Sequence, residues 1–271
     1  MKVVLFCGGF GMRMRGASGN LPKPLVSVGG ISLLDSIMRY YAHYGHTDFV
    51  LCLGYGAEAI TEHFRRMGGE FLPTLSPEMQ AVRLRQDGGT WWNVALVDTG
   101  LRTSIGQRLR LVERYVEGEE LFLANYADGV TDLRLPEVIA AMSARPAMVA
   151  AMTAVRPSQS FHYLRYGRDG AVSAIDDSPT ADLRINGGFF VFRQAIFRYL
   201  EDGEDLVDGS FPRLVDEGRL LAYAHDGFWR ACDTPKDLEV LEAAHAAGNA
   251  QWEVWRDAPL APAALLQTSY R

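Results

Sequence analysis

The chain has 271 residues, 48% of them hydrophobic and 22% charged, with a formal net charge of −6 at pH 7. That length suits one large α/β domain or two small ones, and the acidic balance argues against a general nucleic-acid binder, which needs a basic surface. The longest apolar runs fall short of a membrane span and the N-terminal run is too short for a secretory signal, so a cytoplasmic protein without a membrane partner is expected.

Residues 3–6, Val-Val-Leu-Phe, are a short apolar run rich in β-formers and predict a buried first strand. Gly8-Gly9-Phe10-Gly11-Met12-Arg13 follows, and ten residues later comes Leu21-Pro22-Lys23-Pro24. Ser32 opens a helix, with Asp35 as a capping partner; Leu33, Leu34, Ile37, Met38 and Tyr41 recur on its core face, and Gly45 ends it. Residues 48–53 read as a second strand and 57–67 as a helix. This β-loop-α-β-α order predicts parallel strands with helices on both faces. Residues 68–90 lack clear periodicity and carry Gly, Pro and Ser, so a long surface segment is expected there. Beyond it the pattern predicts a strand at 94–98, a helix at 105–116, and a buried strand at 121–124 that runs directly into Asp128. A helix at 136–143 and a strand at 147–155 come next. Strands with turns at Gly167, Gly170 and Gly187-Gly188 fill 161–192, a helical or looped stretch spans 205–217, and a strand at 219–224 precedes a helix at 236–247. With no repeat and no linker, the whole chain reads as one domain: 1–130 and 131–233 as its two halves, 234–271 as a C-terminal helix and tail. The fold class is a Rossmann-like, mixed and mostly parallel sheet flanked by helices, with a small β-rich region.

Three glycines in the four residues from Gly8 to Gly11 allow a sharp turn and let backbone N–H groups approach an anion closely. Arg13 and the proline-flanked Lys23 add two positive charges, so strand, bare loop and cations together make a cradle for a triphosphate. The same glycines would also serve a plain strand–helix turn. The dinucleotide fingerprint fails because Met14 stands at its last glycine, and no Gly-Lys-Ser/Thr completes a P-loop. Asp128, at the end of a buried strand and before a glycine, is placed to enter a cleft at the carboxyl edge of the sheet; a turn aspartate is the other reading. Asp233 precedes Thr234-Pro235, a pattern that also fits a helix cap. Asp132 is expected to be structural. Cys7, Cys52 and Cys232 lack paired spacing and read as buried free thiols. His43 and His46 read as a helix-terminal surface pair, and Trp91-Trp92 as packing.

Taken together, Gly8-Gly9-x-Gly11-x-Arg13 and Lys23-Pro24, the runs 48–55 and 92–100, Tyr126-Ala127-Asp128-Gly129-Val130, Ile185-Asn186-Gly187-Gly188-Phe189-Phe190, and Phe228-Trp229 leading to Asp233-Thr234 resemble the sugar-nucleotidyltransferase family. Within it they resemble the glucose-1-phosphate cytidylyltransferase branch. The resemblance covers nearly the whole chain in the family's order. It implies the fold of the nucleotide-diphospho-sugar transferases and Mg2+-dependent transfer of a cytidylyl group from CTP to a sugar 1-phosphate, with release of pyrophosphate and a CDP-sugar. It further implies Arg13 and Lys23 as catalytic cations and Gly8, Gly9, Gly11, Met12, Asp98 and Thr99 around the nucleotide. Asp128 and Asp233 would hold the metal, and His162, Asp177, Ser178 and Asn186 would meet the acceptor. A homo-oligomer is implied as well.

Several positions depart from the family pattern. Where the family has Glu-Lys-Pro, whose Lys binds the sugar phosphate and whose Glu binds sugar hydroxyls, this chain reads Asp177-Ser178-Pro179. A family glycine is replaced near Phe161-His162-Tyr163, Ala127 stands for a glycine, and Met12 stands for a threonine. Arg165 or Arg184 could replace the missing lysine. These changes keep three other readings open: a cytidylyltransferase for a non-glucose phosphate or phosphonate, a catalytically weak nucleotide-sugar-binding homologue, and an NAD-dependent oxidoreductase. The last needs an acidic ribose ligand about 20 residues after the glycines, where only Asp35 stands, inside a helix pattern.

Overall fold

The computed structural model describes residues 1–9, 21–73, 76–86, 89–157, 163–176 and 183–256. In chain order these form β1 (Val3–Phe6), β2 (Ser27–Val28), β3 (Ile31–Ser32), α1 (Leu33–His43), β4 (Asp48–Leu53), α2 (Ala57–Arg66), β5 (Glu70–Leu72), β6 (Met79–Arg85), β7 (Trp91–Asp98), α3 (Ile105–Leu111) and α4 (Glu113–Val116). The second half comprises β8 (Leu121–Tyr126), β9 (Gly129–Thr131), α5 (Leu135–Ser143), β10 (Ala150–Val155), β11 (Tyr163–Tyr166), β12 (Val172–Asp176), β13 (Ile185–Asn186), β14 (Phe190–Arg193), α6 (Phe211–Asp216), β15 (Leu220–His225), β16 (Trp229–Ala231) and α7 (Pro235–Ala246).

The centre of the molecule is β1, with β4 and β8 parallel on its two sides; Leu5 stands level with Leu51 and Asn125, and Phe6 with Cys52 and Tyr126. Parallel β7 follows β4, and antiparallel β6 and β5 complete that flank. On the other flank β14 runs antiparallel to β8, then β10, then parallel β15, with β13 beside the end of β10. The expected mixed, largely parallel sheet is therefore present. Successive residues of a strand point to opposite faces, and the inner strands bury both. Val3, Leu5, Leu51 and Leu123 pack under α1, α2 and α5, while Val4, Phe6, Val50, Cys52, Phe122 and Ala124 pack under α3, α4 and α6. A third, smaller core joins Val26 and Val28 of the β2–β3 hairpin to Val130, Cys232, Leu241 and Trp252.

Ser32 caps α1 as its sequence predicts, accepting from the Asp35 N–H at 3.0 Å. The three cysteines are buried and free. Trp92 is buried edge-on against Phe49, and Arg83 lies over the Trp91 ring. None of the described helices is long and apolar enough to cross a membrane.

Residues 68–90 overturn the expectation of a surface segment, because two strands, β5 and β6, lie within them. The run Ala81-Val82-Arg83-Leu84-Arg85 alternates strictly, with Val82 and Leu84 buried at 1% exposure and the arginines turned outward. Flanking Gly, Pro and Ser hide that period when a longer window is read. The expected helix at 105–116 is two pieces, α3 and α4, that meet at Val112. If 79–85 is a core strand, Leu84→Ala should lower the free energy of unfolding in urea by about 2–5 kcal/mol; a surface segment would lose about 0.5 kcal/mol or less.

Candidate active site

The carboxyl ends of β1, β4, β7 and β8 reach one edge of the sheet. Beyond β1 the chain enters Gly8 and Gly9. The Cys7 N–H donates to the Cys52 carbonyl at 3.0 Å, so the strand pairing continues to the brink of the loop. A Cβ on Gly8 would fall 2.3 Å from the Arg108 guanidinium, whereas one on Gly9 would meet nothing within 4 Å among the described residues. Gly8 is thus required by packing.

Arg108 rises from α3 and is 2% exposed. Its Nη1 donates to the Leu53 carbonyl at 2.8 Å and to Thr99 Oγ1 at 2.6 Å, and its Nη2 to the Gly8 carbonyl at 3.2 Å. Thr99 Oγ1 in turn donates to the Leu53 carbonyl at 2.7 Å. One guanidinium therefore ties the ends of three strands together beneath the glycine loop. No carboxylate among the described residues forms an ion pair with it, and burial pushes its pKa down. Thr99, expected at the nucleotide, contributes its hydroxyl to this floor. Asp98 is exposed beside it and accepts from the Gly100 N–H at 2.9 Å. The sequence analysis missed Arg108. A signal existed: it shares the apolar face Ile105, Leu109, Val112 at helical spacing, where a charge is out of place.

Opposite the loop, Lys23 lies in a 3-10 turn that follows Pro22. Its Nζ is 2.7 Å from Asp128 Oδ2 and 2.5 Å from Asp233 Oδ1. The ammonium is 11% exposed and the two carboxylates about one third. Burial alone would push the Lys23 pKa down, but the two carboxylates outweigh it and hold the value above its ordinary level. Asp128 follows β8. Asp233 is brought beside it by the β9–β16 ribbon, in which Ala231 pairs with Gly129 and the Cys232 N–H donates to the Asp128 carbonyl at 2.9 Å. Helix capping, the other reading of Asp233, belongs to its neighbour. Thr234 caps α7 in a capping box with Asp237, and the Asp233 carboxylate is left to the cleft.

The turn from β13 into β14 lies beside the end of β8. Asn186 Oδ1 accepts from the Gly188 N–H at 3.0 Å, and its Nδ2 donates to the Tyr126 hydroxyl at 3.3 Å. Burial pushes that hydroxyl's pKa up to about 12. Trp229 Nε1 donates to the Gly187 carbonyl at 2.8 Å, which fastens the turn to the ribbon that carries Asp233. Asp132, expected to be structural, pairs with His225 at 3.0 Å. Arg184 pairs with Asp226 at 2.9 Å and Nη1 donates to the Ala154 and His225 carbonyls. Asp35 is 7% exposed and held by Ser32 and His63, so it does not offer the ribose contact an oxidoreductase needs. Gly11, Met12, Arg13, His162, Asp177 and Ser178 lie outside the described residues. Of the expected set, the structure brings Lys23, Asp128 and Asp233 into direct contact and places Gly8, Gly9, Asp98, Thr99 and Asn186 along the same edge.

Two carboxylates that converge on one cation, at the carboxyl edge beside a bare glycine loop, are a site for a charged ligand. Residues 2–257 match the nucleotidyl transferase family. The chain belongs to it. The glucose-1-phosphate cytidylyltransferase of Salmonella typhimurium is 34% identical over 261 residues, which covers 94% of this chain and all of that one. Among solved structures, HddC of Yersinia pseudotuberculosis complexed with GMP-PN superposes with a TM-score of 0.62 at 18% identity, over 90% of this chain and 99% of the other. UDP-glucose pyrophosphorylase of Acinetobacter baumanii gives a TM-score of 0.62 at 16% identity, over 93% and 95%. These structures share the fold. Family membership makes the chain a nucleotidyltransferase.

Two outcomes follow from this geometry. Arg108→Met takes from the Gly8 carbonyl its guanidinium donor and from the Leu53 carbonyl one of its three, and should cost on the order of 1–3 kcal/mol in urea unfolding. His225 provides the second. Burial alone would lower its pKa, but the hydrogen bond to Asp132, the Phe228 carbonyl and the nearby Asp132 and Asp226 charges outweigh this and raise it. A raised folded pKa means that its stabilisation is complete below the unfolded value of about 6.5 and is lost as pH rises through the folded value. The urea midpoint should therefore fall between about pH 6 and pH 8 more steeply in the wild type than in His225→Gln.

Proposed function

We propose that the chain transfers a cytidylyl group from CTP to a sugar 1-phosphate or a closely related phosphorylated metabolite. The observation that carries this reading is the convergence of Asp128 and Asp233 on Lys23 beside the Gly8-Gly9 loop, in a chain similar over most of its length to glucose-1-phosphate cytidylyltransferases. The α-phosphorus of the triphosphate is attacked in line by an acceptor phosphate oxygen, the bond to the bridging oxygen breaks, and pyrophosphate leaves. That oxygen is already ionised near neutral pH because its second pKa is about 6, so no general base is needed. What the protein must supply is position and neutralised charge.

The donor set fits a divalent ion. Two carboxylates address a single point where the Lys23 ammonium stands in as the cation, and hard cations such as Mg2+ take one or two carboxylates together with substrate phosphate oxygens. Bound there, the ion would offset charge on the triphosphate. The Gly8-Gly9 backbone admits the phosphates closely, Lys23 brings its charge to the α-phosphate or the acceptor phosphate, and the family resemblance assigns Arg13 to the leaving pyrophosphate. Asp98 lies at the nucleotide end of the cleft, Asn186 at the acceptor end. An open groove of about 500 Å³, lined by Leu53, Ala57, Thr61, Gln80 and Leu96, continues beyond Asp98.

A second reading concerns the acceptor alone. Asp177 and Ser178 stand where the family has Glu and Lys, so the lysine that would grip the sugar phosphate is missing, and a different phosphate or phosphonate becomes the substrate. A panel of sugar 1-phosphates and phosphonates, offered with CTP, UTP or dTTP and Mg2+ and read by pyrophosphate release, tests both readings. Turnover should require CTP and vanish with EDTA. It should fall roughly 10²–10³-fold or more in Asp128→Asn and in Asp233→Asn while the circular dichroism stays unchanged. Rapid turnover of glucose 1-phosphate would dismiss the altered acceptor, and no pyrophosphate from any pair would dismiss the enzymatic reading.

A further inference from the structure

The turn that forms the acceptor side of the cleft carries an unusual backbone. Gly188 has φ of 75° and Phe189, the next residue, has φ of 47°. Glycine adopts such angles freely, but a side chain with a Cβ is opposed, and among the described residues Phe189 is the only non-glycine with positive φ. A conformation of this kind persists only where the surroundings over-determine it.

Phe189 is held through its ring and through its main chain, whose carbonyl accepts from Thr153 Oγ1 at 3.3 Å. Its ring lies edge-on to Tyr40 at 5.2 Å between centroids and stacks on Tyr41 at 6.0 Å. Its N–H donates to Asn125 Oδ1 at 3.0 Å. Asn125 belongs to β8 and is 1% exposed, and its Nδ2 is buried without a hydrogen-bond partner among the described residues. A Cβ on Gly188 would fall 2.6 Å from Asn125 Oδ1, so the carboxamide is pressed directly against the turn. A half-satisfied buried amide is a poor choice for core stability. The hydrogen bond its side chain does make is to this turn.

The rest of the turn is clasped by main chain and by Trp229. The Gly187 N–H donates to the Thr153 carbonyl at 2.9 Å, and the Thr153 N–H donates to the Gly188 carbonyl at 3.1 Å. Those contacts tie the turn to β10 and β16. The Asn125 side chain ties it to β8, three residues before Asp128.

We propose that Asn125 is a positioning residue for the acceptor: its carboxamide oxygen fixes Phe189 in the left-handed conformation and so holds the Asn186–Gly188 turn at a set distance from Asp128. This rests on the nucleotidyltransferase reading of the cleft, with the acceptor at that turn. Asn125 touches no reacting atom; it acts through the backbone of the turn.

The test compares Asn125→Leu, which keeps the size and removes the acceptor oxygen, with Asn125→Asp, which keeps that oxygen, in the full chain. Amide hydrogen exchange read by mass spectrometry should speed up about tenfold in Asn125→Leu for the peptide spanning 185–190, as expected for one lost hydrogen bond. Peptides from β1 and β4 should not change, and Asn125→Asp should stay near the wild type. In pyrophosphate release, the KM for the sugar 1-phosphate should rise about tenfold in Asn125→Leu with the KM for CTP unchanged. Unchanged exchange at 185–190, exchange raised evenly across the chain, both KM values shifted together, or Asn125→Asp behaving like Asn125→Leu would each overturn the proposal. Should Asn125→Leu fail to fold, Asn125→Ser gives the same readouts. If the wild type releases no pyrophosphate, the exchange comparison still decides whether Asn125 sets the turn, and the lost turnover counts against the functional reading instead.

Discussion

Two ionised carboxylates that address one point repel each other unless a cation stands between them. At separations near 4 Å, like charges repel by about 1–4 kcal/mol for effective dielectrics between water and a protein surface. Asp128 and Asp233 come from distant parts of the chain, and a strand, a ribbon and a helix cap cooperate to bring them together. Lys23 supplies the cation, at 2.7 and 2.5 Å from the two oxygens. The cleft is therefore built around a positive charge. On the proposed reading the divalent ion takes that place, and the lysine, on a flexible four-carbon stem, is released toward the phosphates. The same residue then serves the folded protein and its chemistry.

Beneath the cleft the charge logic is different. Arg108 is buried and bonded to carbonyls and one hydroxyl rather than to a carboxylate. Its charge is directed into three strand ends, and it leaves the floor of the glycine loop positive. The Gly8 carbonyl is turned down to Arg108, so the start of the glycine run is anchored from below by a guanidinium.

Much of this was legible from sequence where one physical cause dominates. The inner strands are continuous apolar runs because both faces are buried, and α1 follows from a cap and a 3.6-residue period. Asp128 was readable from a buried strand that ends in a glycine. Failures came where two causes compete within one window. At 79–85 a strand of strict alternation is diluted by turn residues on either side. At 232–235 the same few residues contain a helix cap and a cleft carboxylate. Sequence shows both candidates, and only the geometry gives the cap to Thr234 and the cleft to Asp233. Arg108 escaped because a charge on an apolar helix face reads as an imperfection. Its three acceptors lie at the ends of separate strands, so the reason for it exists only after the sheet is assembled.

On the proposed reading, with the nucleotide at the glycine end of the cleft and the acceptor at the β13–β14 turn, the two sides are built on different foundations. The nucleotide side stands on β1, β4 and β7, parallel strands buried on both faces and locked at their ends by Arg108; a change there disturbs the main core. The other side stands on β14 and β13, antiparallel to β8 and β10, and beyond them on the β11–β12 hairpin, whose Leu164, Tyr166, Val172 and Ile175 are largely exposed. Substitutions in that hairpin meet few core contacts, whereas Phe190, Val191 and Phe192 of β14 are buried. The sides meet along β8, whose Asn125 holds the acceptor turn and whose end carries Asp128, and a change of acceptor that kept the chemistry would have to preserve that strand.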